Sequence, residues 1–216
     1  MIHYSTVGGQ NSIYRSSSRR YYDLLLKSTF SIVFAFLMAI SANAFVYLPF
    51  TPVPVTLQVL TVIFSAIMLG GPWALVGQLI YVSMGLAGMP VFAGFISGPA
   101  VFSGPTAGYI IGFTIAAYIT GLLFGSSRLS DITRGNKLTA GFISGTAGLL
   151  VIYLMGSIHL FGFLYALSGR HQVLETARSV WALGVKPFII LDLIKILIAI
   201  NILESGSKGY ENYKNK

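Results

Sequence analysis

Cysteine is absent from the 216-residue chain, which excludes disulfides, thiolate metal sites and thiol catalysis. Acidic residues are few, six Asp and Glu in all, and charge of either sign disappears from residues 28–127: a hundred consecutive positions hold no Asp, Glu, Lys, Arg or His. With 55% hydrophobic and 9% charged residues, a soluble domain of this size could not cover itself with polar surface. The phosphate-binding pattern Gly-x4-Gly-Lys-Ser/Thr is missing too, so any nucleotide hydrolysis must be supplied by other chains.

What is present suits a bilayer. A hydrocarbon core about 30 Å thick takes roughly 20 helical residues per crossing, which allows around six crossings joined by short connections. The net charge of +8 sits in short groups of Lys and Arg beside apolar segments, as membrane-flanking charge does, and not on one surface suited to nucleic acid. The expectation is an all-α membrane protein with six transmembrane helices in one compact domain, residues 24–204. A polar, disordered tail, residues 1–23, precedes it, and a C-terminal tail, residues 205–216, follows.

The first apolar run covers about residues 27–47 and ends in a proline-punctuated stretch, residues 48–54. A cleavable leader, with Ala42-Asn43-Ala44 as its cleavage site, is the weaker reading, because the apolar run continues past that site. The second and third spans, about 55–69 and 72–86, are short and separated by Gly70-Gly71-Pro72. Residues 87–104 are apolar yet carry four Gly and two Pro, too many for a good helix. Non-helical backbone near a membrane is tolerated where it is buried in protein or lines a cavity, so this segment is a candidate lid or pocket wall. Spans four to six cover about 105–124, 138–161 and 187–203.

Six spans place Arg15, Arg19, Arg20, Lys27, Arg128, Arg134, Lys137, Lys208, Lys214 and Lys216 on one side, against Arg170, Arg178 and Lys186 on the other. Both termini are therefore expected in the cytoplasm. The 48–54 loop, the 87–104 segment and the start of the last span then share the outer face.

Asp192 and Lys195 lie three apart in the last span, so a helix offers both to the same cavity. Each charge at bilayer depth costs about 2.5–3.5 kcal/mol, and such residues mark pathways, relays or ligand sites. Mutual pairing as a packing device is the plainer alternative. A carboxylate accepts two N–H donors and an ammonium binds an anion, so a small molecule with an amide- or urea-like head and a carboxylate tail would satisfy both. Asp192 falls about five residues inside the outer end, roughly 7–8 Å deep. Gln58, Gln78, Tyr81, Thr106, Tyr109 and Asn201 are polar groups that could assist, although each would serve equally as a helix–helix hydrogen bond. Phe92, Phe95 and Phe102 could wall an apolar ring or face lipid. Ala35 and Ala39 form a small-xxx-small step that lets another helix approach closely.

Taken together, Thr51-Pro52-Val53-Pro54-Val55-Thr56-Leu57-Gln58, Gly85-Leu86-Ala87-Gly88-Met89-Pro90-Val91-Phe92-Ala93, Gly104-Pro105-Thr106-Ala107-Gly108-Tyr109, and Lys186-Pro187-Phe188 leading to Asp192 and Lys195, closely resemble the BioY family. These are the biotin-binding S components of energy-coupling-factor (ECF) transporters. The resemblance spans residues 28–204 and implies a six-helix S-component fold in the bacterial plasma membrane, with biotin bound near the outer face. Asp192 and Lys195 then match the family's acid and base, assisted by Gln58, Phe92, Phe95, Thr106 and Tyr109. Ala35 and Ala39 match the motif that docks against the transmembrane coupling subunit, which carries two ATPases. The resemblance implies no cofactor or catalysis in this subunit, ATP being hydrolysed by the partners. Ala107 stands where the family has Gly, and Pro99 where a more flexible glycine run is usual.

Two other readings remain. One keeps the fold and changes the ligand to another vitamin, or lets the chain transport without ATPases. The other is an intramembrane enzyme using Ser157, His159 and Asp192, but Ser157 and His159 are two apart and point to different helix faces.

Overall fold

The computed structural model describes residues 8–168 and 173–214, with side chains within 21–168 and 173–206. Helix α1 spans Gly8–Asn43. A two-residue antiparallel ladder, β1 (Phe45–Val46) with β2 (Val55–Thr56), closes the proline-rich loop into a hairpin. Then follow α2 (Gln58–Leu69), α3 (Gly71–Leu86), a 3-10 turn (Pro99–Ser103), α4 (Ala107–Phe124), α5 (Ser127–Ile132) and α6 (Lys137–Leu167). The chain ends with α7 (Val173–Val180), a π-helical turn (Trp181–Val185) and α8 (Ile189–Lys214). Six helices cross the membrane: α1, α2, α3, α4, α6 and α8. Among the described residues, α1 from Tyr21, α4 and α6 are each long and apolar enough to do so unaided.

One expectation needs correction. Residues 8–23, read as disordered, continue the first span as helix, and residues 1–7 lie outside the described residues. No proline occurs before Pro49, and a helix already nucleated in the bilayer extends at little cost per residue. The Asp23–Lys27 ion pair, 2.9 Å at i,i+4, supports this stretch. Likewise α8 runs on through most of residues 205–216.

Along α1, Ser31, Phe34, Ala35, Met38 and Ala42 are buried at helical spacing, while Ile32, Val33, Phe36, Leu37 and Ile40 face outward. Ala35 is 0% exposed, one turn beyond Ser31, whose hydroxyl donates to Trp73 O of α3. The small-residue step therefore serves packing inside this chain: Ala35 offers no surface to a partner, and Ala39 is half-buried against the same core.

Helix α2, with 12 residues, is only about 18 Å long, and α3 about 24 Å, both short of a 30 Å crossing. The missing length lies on the side where residues 44–57 and 87–106 fold inward. The α2–α3 turn is wedged against α4, since a side chain at Gly71 would collide with Tyr118 O and one at Gly121 with Gly71 N. Helices α4 and α6 also approach closely. A Cβ at Gly108 would overlap Met155 O, so this crossing requires glycine there, and one at Gly112 would sit a tight 3.0 Å from Ile152 Cα.

Candidate functional site

The C-terminal ends of α1, α3 and α6 and the N-terminal ends of α2, α4 and α8 converge on one face of the bundle. Beneath that face, side chains of α2, α3, α4, α8 and the middle of α6 line a cavity of about 360 Å³, within the range of small-molecule sites. The proline hairpin and the 87–104 segment complete its walls through Pro52, Pro54, Phe92 and Val101.

Each wall is fastened by an identifiable contact. Thr51 Oγ1 donates to Leu183 O at 2.6 Å and accepts from Val53 N at 3.1 Å, tying the hairpin to the π-helical turn. Tyr109 Oη donates to Gly184 O at 2.8 Å on the same turn. These two donors serve backbone carbonyls at a buried irregularity, where an unpaired polar group would be costly. The 87–104 segment is held by Asn43 Oδ1, which accepts from Phe95 N at 2.8 Å, by Gly98 N donating to Gly85 O at 2.8 Å, and by His159 Nε2, 2.9 Å from Gly104 O.

The pair expected on the last span lies in the cavity wall. Asp192 and Lys195 are 4% and 8% exposed, and Lys195 Nζ donates to Asp192 Oδ1 at 2.7 Å. Tyr153 of α6 donates from Oη to Asp192 Oδ2 at 2.8 Å. The carboxylate thus keeps one hydrogen bond on each oxygen and has lone pairs to spare, while Lys195 keeps two N–H donors.

On α2 and α3, Gln58 Nε2 donates to Tyr81 Oη at 3.1 Å and Gln58 Oε1 accepts from Thr56 Oγ1 at 3.2 Å. Phe92, 1% exposed, stands edge-on to Tyr81 and to Phe102, its ring seated where any side chain at Gly85 would collide. Apolar surface comes also from Ile110, Phe113, Ile152 and Phe188. Such a cavity can enclose a largely apolar molecule and address a few polar groups on it with fixed donors and acceptors.

Of the residues expected at the site, Asp192, Lys195, Gln58, Phe92, Thr106 and Tyr109 line this one cavity. Phe95 does not: it is 67% exposed and sits outside, its backbone in the left-handed region at φ +57° and its N–H held by Asn43. That conformation, uncommon for a bulky residue, turns the ring away from its neighbour Phe92. Tyr153 was not singled out by the sequence, since one tyrosine in an apolar helix is unremarkable and its partner is 39 positions away. His159, weighed as an acid/base partner of Asp192, meets the Gly104 carbonyl instead.

A sequence profile described as the BioY family matches residues 16–212. The "Probable biotin transporter BioY" of Pyrococcus horikoshii is 37% identical over 174 residues, 81% of this chain and 93% of that protein. The "Biotin transporter BioY" of Thermotoga maritima is 35% identical over 164 residues, 76% of this chain and 86% of that one. Among solved structures, the S-component for biotin from an ECF-type ABC transporter superposes with a TM-score of 0.69 at 23% identity, covering 88% of this chain and 93% of that one. That likeness shows the fold, six membrane-spanning helices in the S-component arrangement.

Proposed function

Because the chain belongs to the BioY family, we propose that it captures biotin at the outer face of the bacterial plasma membrane and serves as the substrate-binding S component of an ECF-type ABC transporter. The observation that carries this reading is the cavity itself: about 360 Å³, mostly apolar, with one acid and one base side by side in its wall. Biotin combines an apolar bicyclic body with a ureido head and a carboxylate tail, and Asp192 and Lys195 supply an N–H acceptor and an anion or carbonyl donor for those ends.

Both termini lie in the cytoplasm, on the side rich in Lys and Arg. A transmembrane coupling subunit and two ATPase subunits supply the energy; this chain changes no chemical bond and needs no cofactor. Gln58, Phe92, Thr106 and Tyr109 complete the ligand contacts.

Radiolabelled biotin binding to the purified protein tests the reading. Asp192→Asn and Lys195→Met should each weaken binding by roughly tenfold or more, since hydrogen bonds to charged groups contribute about 1.5–3 kcal/mol. Tight binding retained by both variants would remove the proposed site, and preference for a different vitamin would remove biotin as the substrate.

A further inference from the structure

The geometry points to Tyr153 as a specificity-determining positioning residue, which holds the Asp192 carboxylate with its acceptor edge turned into the cavity and so selects head groups that bring N–H donors. The choice of probe rests on the biotin reading above; the role of Tyr153 rests on three observations.

First, the two carboxylate oxygens of Asp192 are engaged from two helices. Lys195 of α8 reaches Oδ1 at 2.7 Å and Tyr153 of α6 reaches Oδ2 at 2.8 Å. A carboxylate gripped at one oxygen can swing about its last torsion, which is broad for Asp. Gripped at both, its plane is set. Second, Tyr153 has a single proton and directs it at Asp192, so Tyr153 Oη can only accept from a ligand. Tyr109 is in the same state, its proton directed at Gly184 O at 2.8 Å. Both tyrosines and Asp192 line the cavity and present acceptors to it, beside the two remaining N–H donors of Lys195. Third, Tyr81 is the converse case: its Oη accepts from Gln58 Nε2, which leaves its proton available to the cavity.

A site so arranged distinguishes head groups by hydrogen-bond polarity. A ring bearing N–H groups meets unoccupied lone pairs, whereas a ring with those hydrogens replaced by methyl leaves buried acceptors unpaired, the situation that gives polar sites their strongest discrimination. With Phe in place of Tyr153, Oδ2 loses its donor, the carboxylate is free to turn toward Lys195, and the selection weakens although the shape of the cavity is kept.

The test compares the full-length wild type with Tyr153→Phe, using biotin and a biotin methylated on one ureido nitrogen. Tyr153→Phe should lower biotin affinity about tenfold, the scale of one hydrogen bond to a charged group, and shrink the preference for biotin over the methylated analogue at least about threefold, with the thermal unfolding temperature little changed. In a double-mutant cycle with Asp192→Asn, the combined loss should be clearly smaller than the product of the single losses. Unchanged biotin affinity in Tyr153→Phe, equal weakening of both ligands, or strictly multiplicative losses would each overturn the proposal. A wild type that binds a different vitamin in place of biotin would overturn the functional reading alone, and the cycle repeated with that vitamin would still decide for or against Tyr153. A wild type that binds none would overturn both.

Discussion

Asp192 and Lys195 depend on each other. Removing one charge leaves the other buried without a counter-ion, at a cost of about 3–5 kcal/mol, whereas replacing both with apolar residues of similar volume is close to neutral. Lys195→Met or Asp192→Leu alone should therefore lower the thermal unfolding temperature of the detergent-solubilised protein by several degrees. The double variant should recover most of that stability while binding no biotin. If it stays as unstable as the single variants, the pair is not the self-contained unit its 2.7 Å contact indicates.

The acid and base were legible in the sequence because a charge in an apolar run is an energetic anomaly that needs no structure to notice. Tyr153 was not, because tyrosine is at home in such a helix and only tertiary packing reveals what its hydroxyl meets. Phe95 was misplaced for a related reason: its φ of +57° reverses the direction expected from its neighbour Phe92, and backbone sign is invisible in residue type.

Among elements, the α4–α6 crossing is the one on which the cavity depends most directly, since it carries Tyr109 and Ile110 on one helix and Ile152 and Tyr153 on the other. A leucine at Gly108 or Gly112 would force these backbones apart, and overpacking of this kind costs about 1–3 kcal/mol. Gly112→Leu should lower the unfolding temperature and weaken biotin binding together, whereas the same residue at exposed Gly162, with no atom near its Cβ position, should alter neither. Unfolding temperature and binding measured on both variants check this.

Four glycines and two prolines in residues 87–104 announced a non-helical wall, and the second and third spans were legibly short of a full crossing. The N-terminal extension of α1 was hidden by its Ser- and Gly-rich composition, which says nothing of a helix propagated from a neighbouring span. The small-residue step at Ala35 revealed close packing but not the identity of the partner helix, which turned out to belong to the same chain.

At the scale of the molecule, topology is open to direct measurement because no native cysteine competes for label. In intact cells, a cysteine replacing exposed Phe95 should react with a membrane-impermeant maleimide, and one replacing exposed Ile132 in α5 should react only after the membrane is breached. The reverse pattern would invert the proposed orientation. The six-span architecture was readable from hydropathy alone, because the bilayer imposes one length scale on every crossing. The convergence of five helices on a single cavity was not, since it depends on which helices neighbour one another.

The closed contact between Lys195 and Asp192 also bears on energetics across the membrane. A site whose two charges cancel is electrically silent while empty, so the resting potential exerts no net pull on it. Occupied by an anionic ligand it carries one uncompensated charge, for which traversing the full field is worth about 2.3 kcal/mol per 100 mV. With the cell interior negative, that field opposes inward passage of an anionic ligand from the proposed site, while the empty site feels no such opposition. In the proposed import, work against voltage is thereby set by the cargo and not by the empty site.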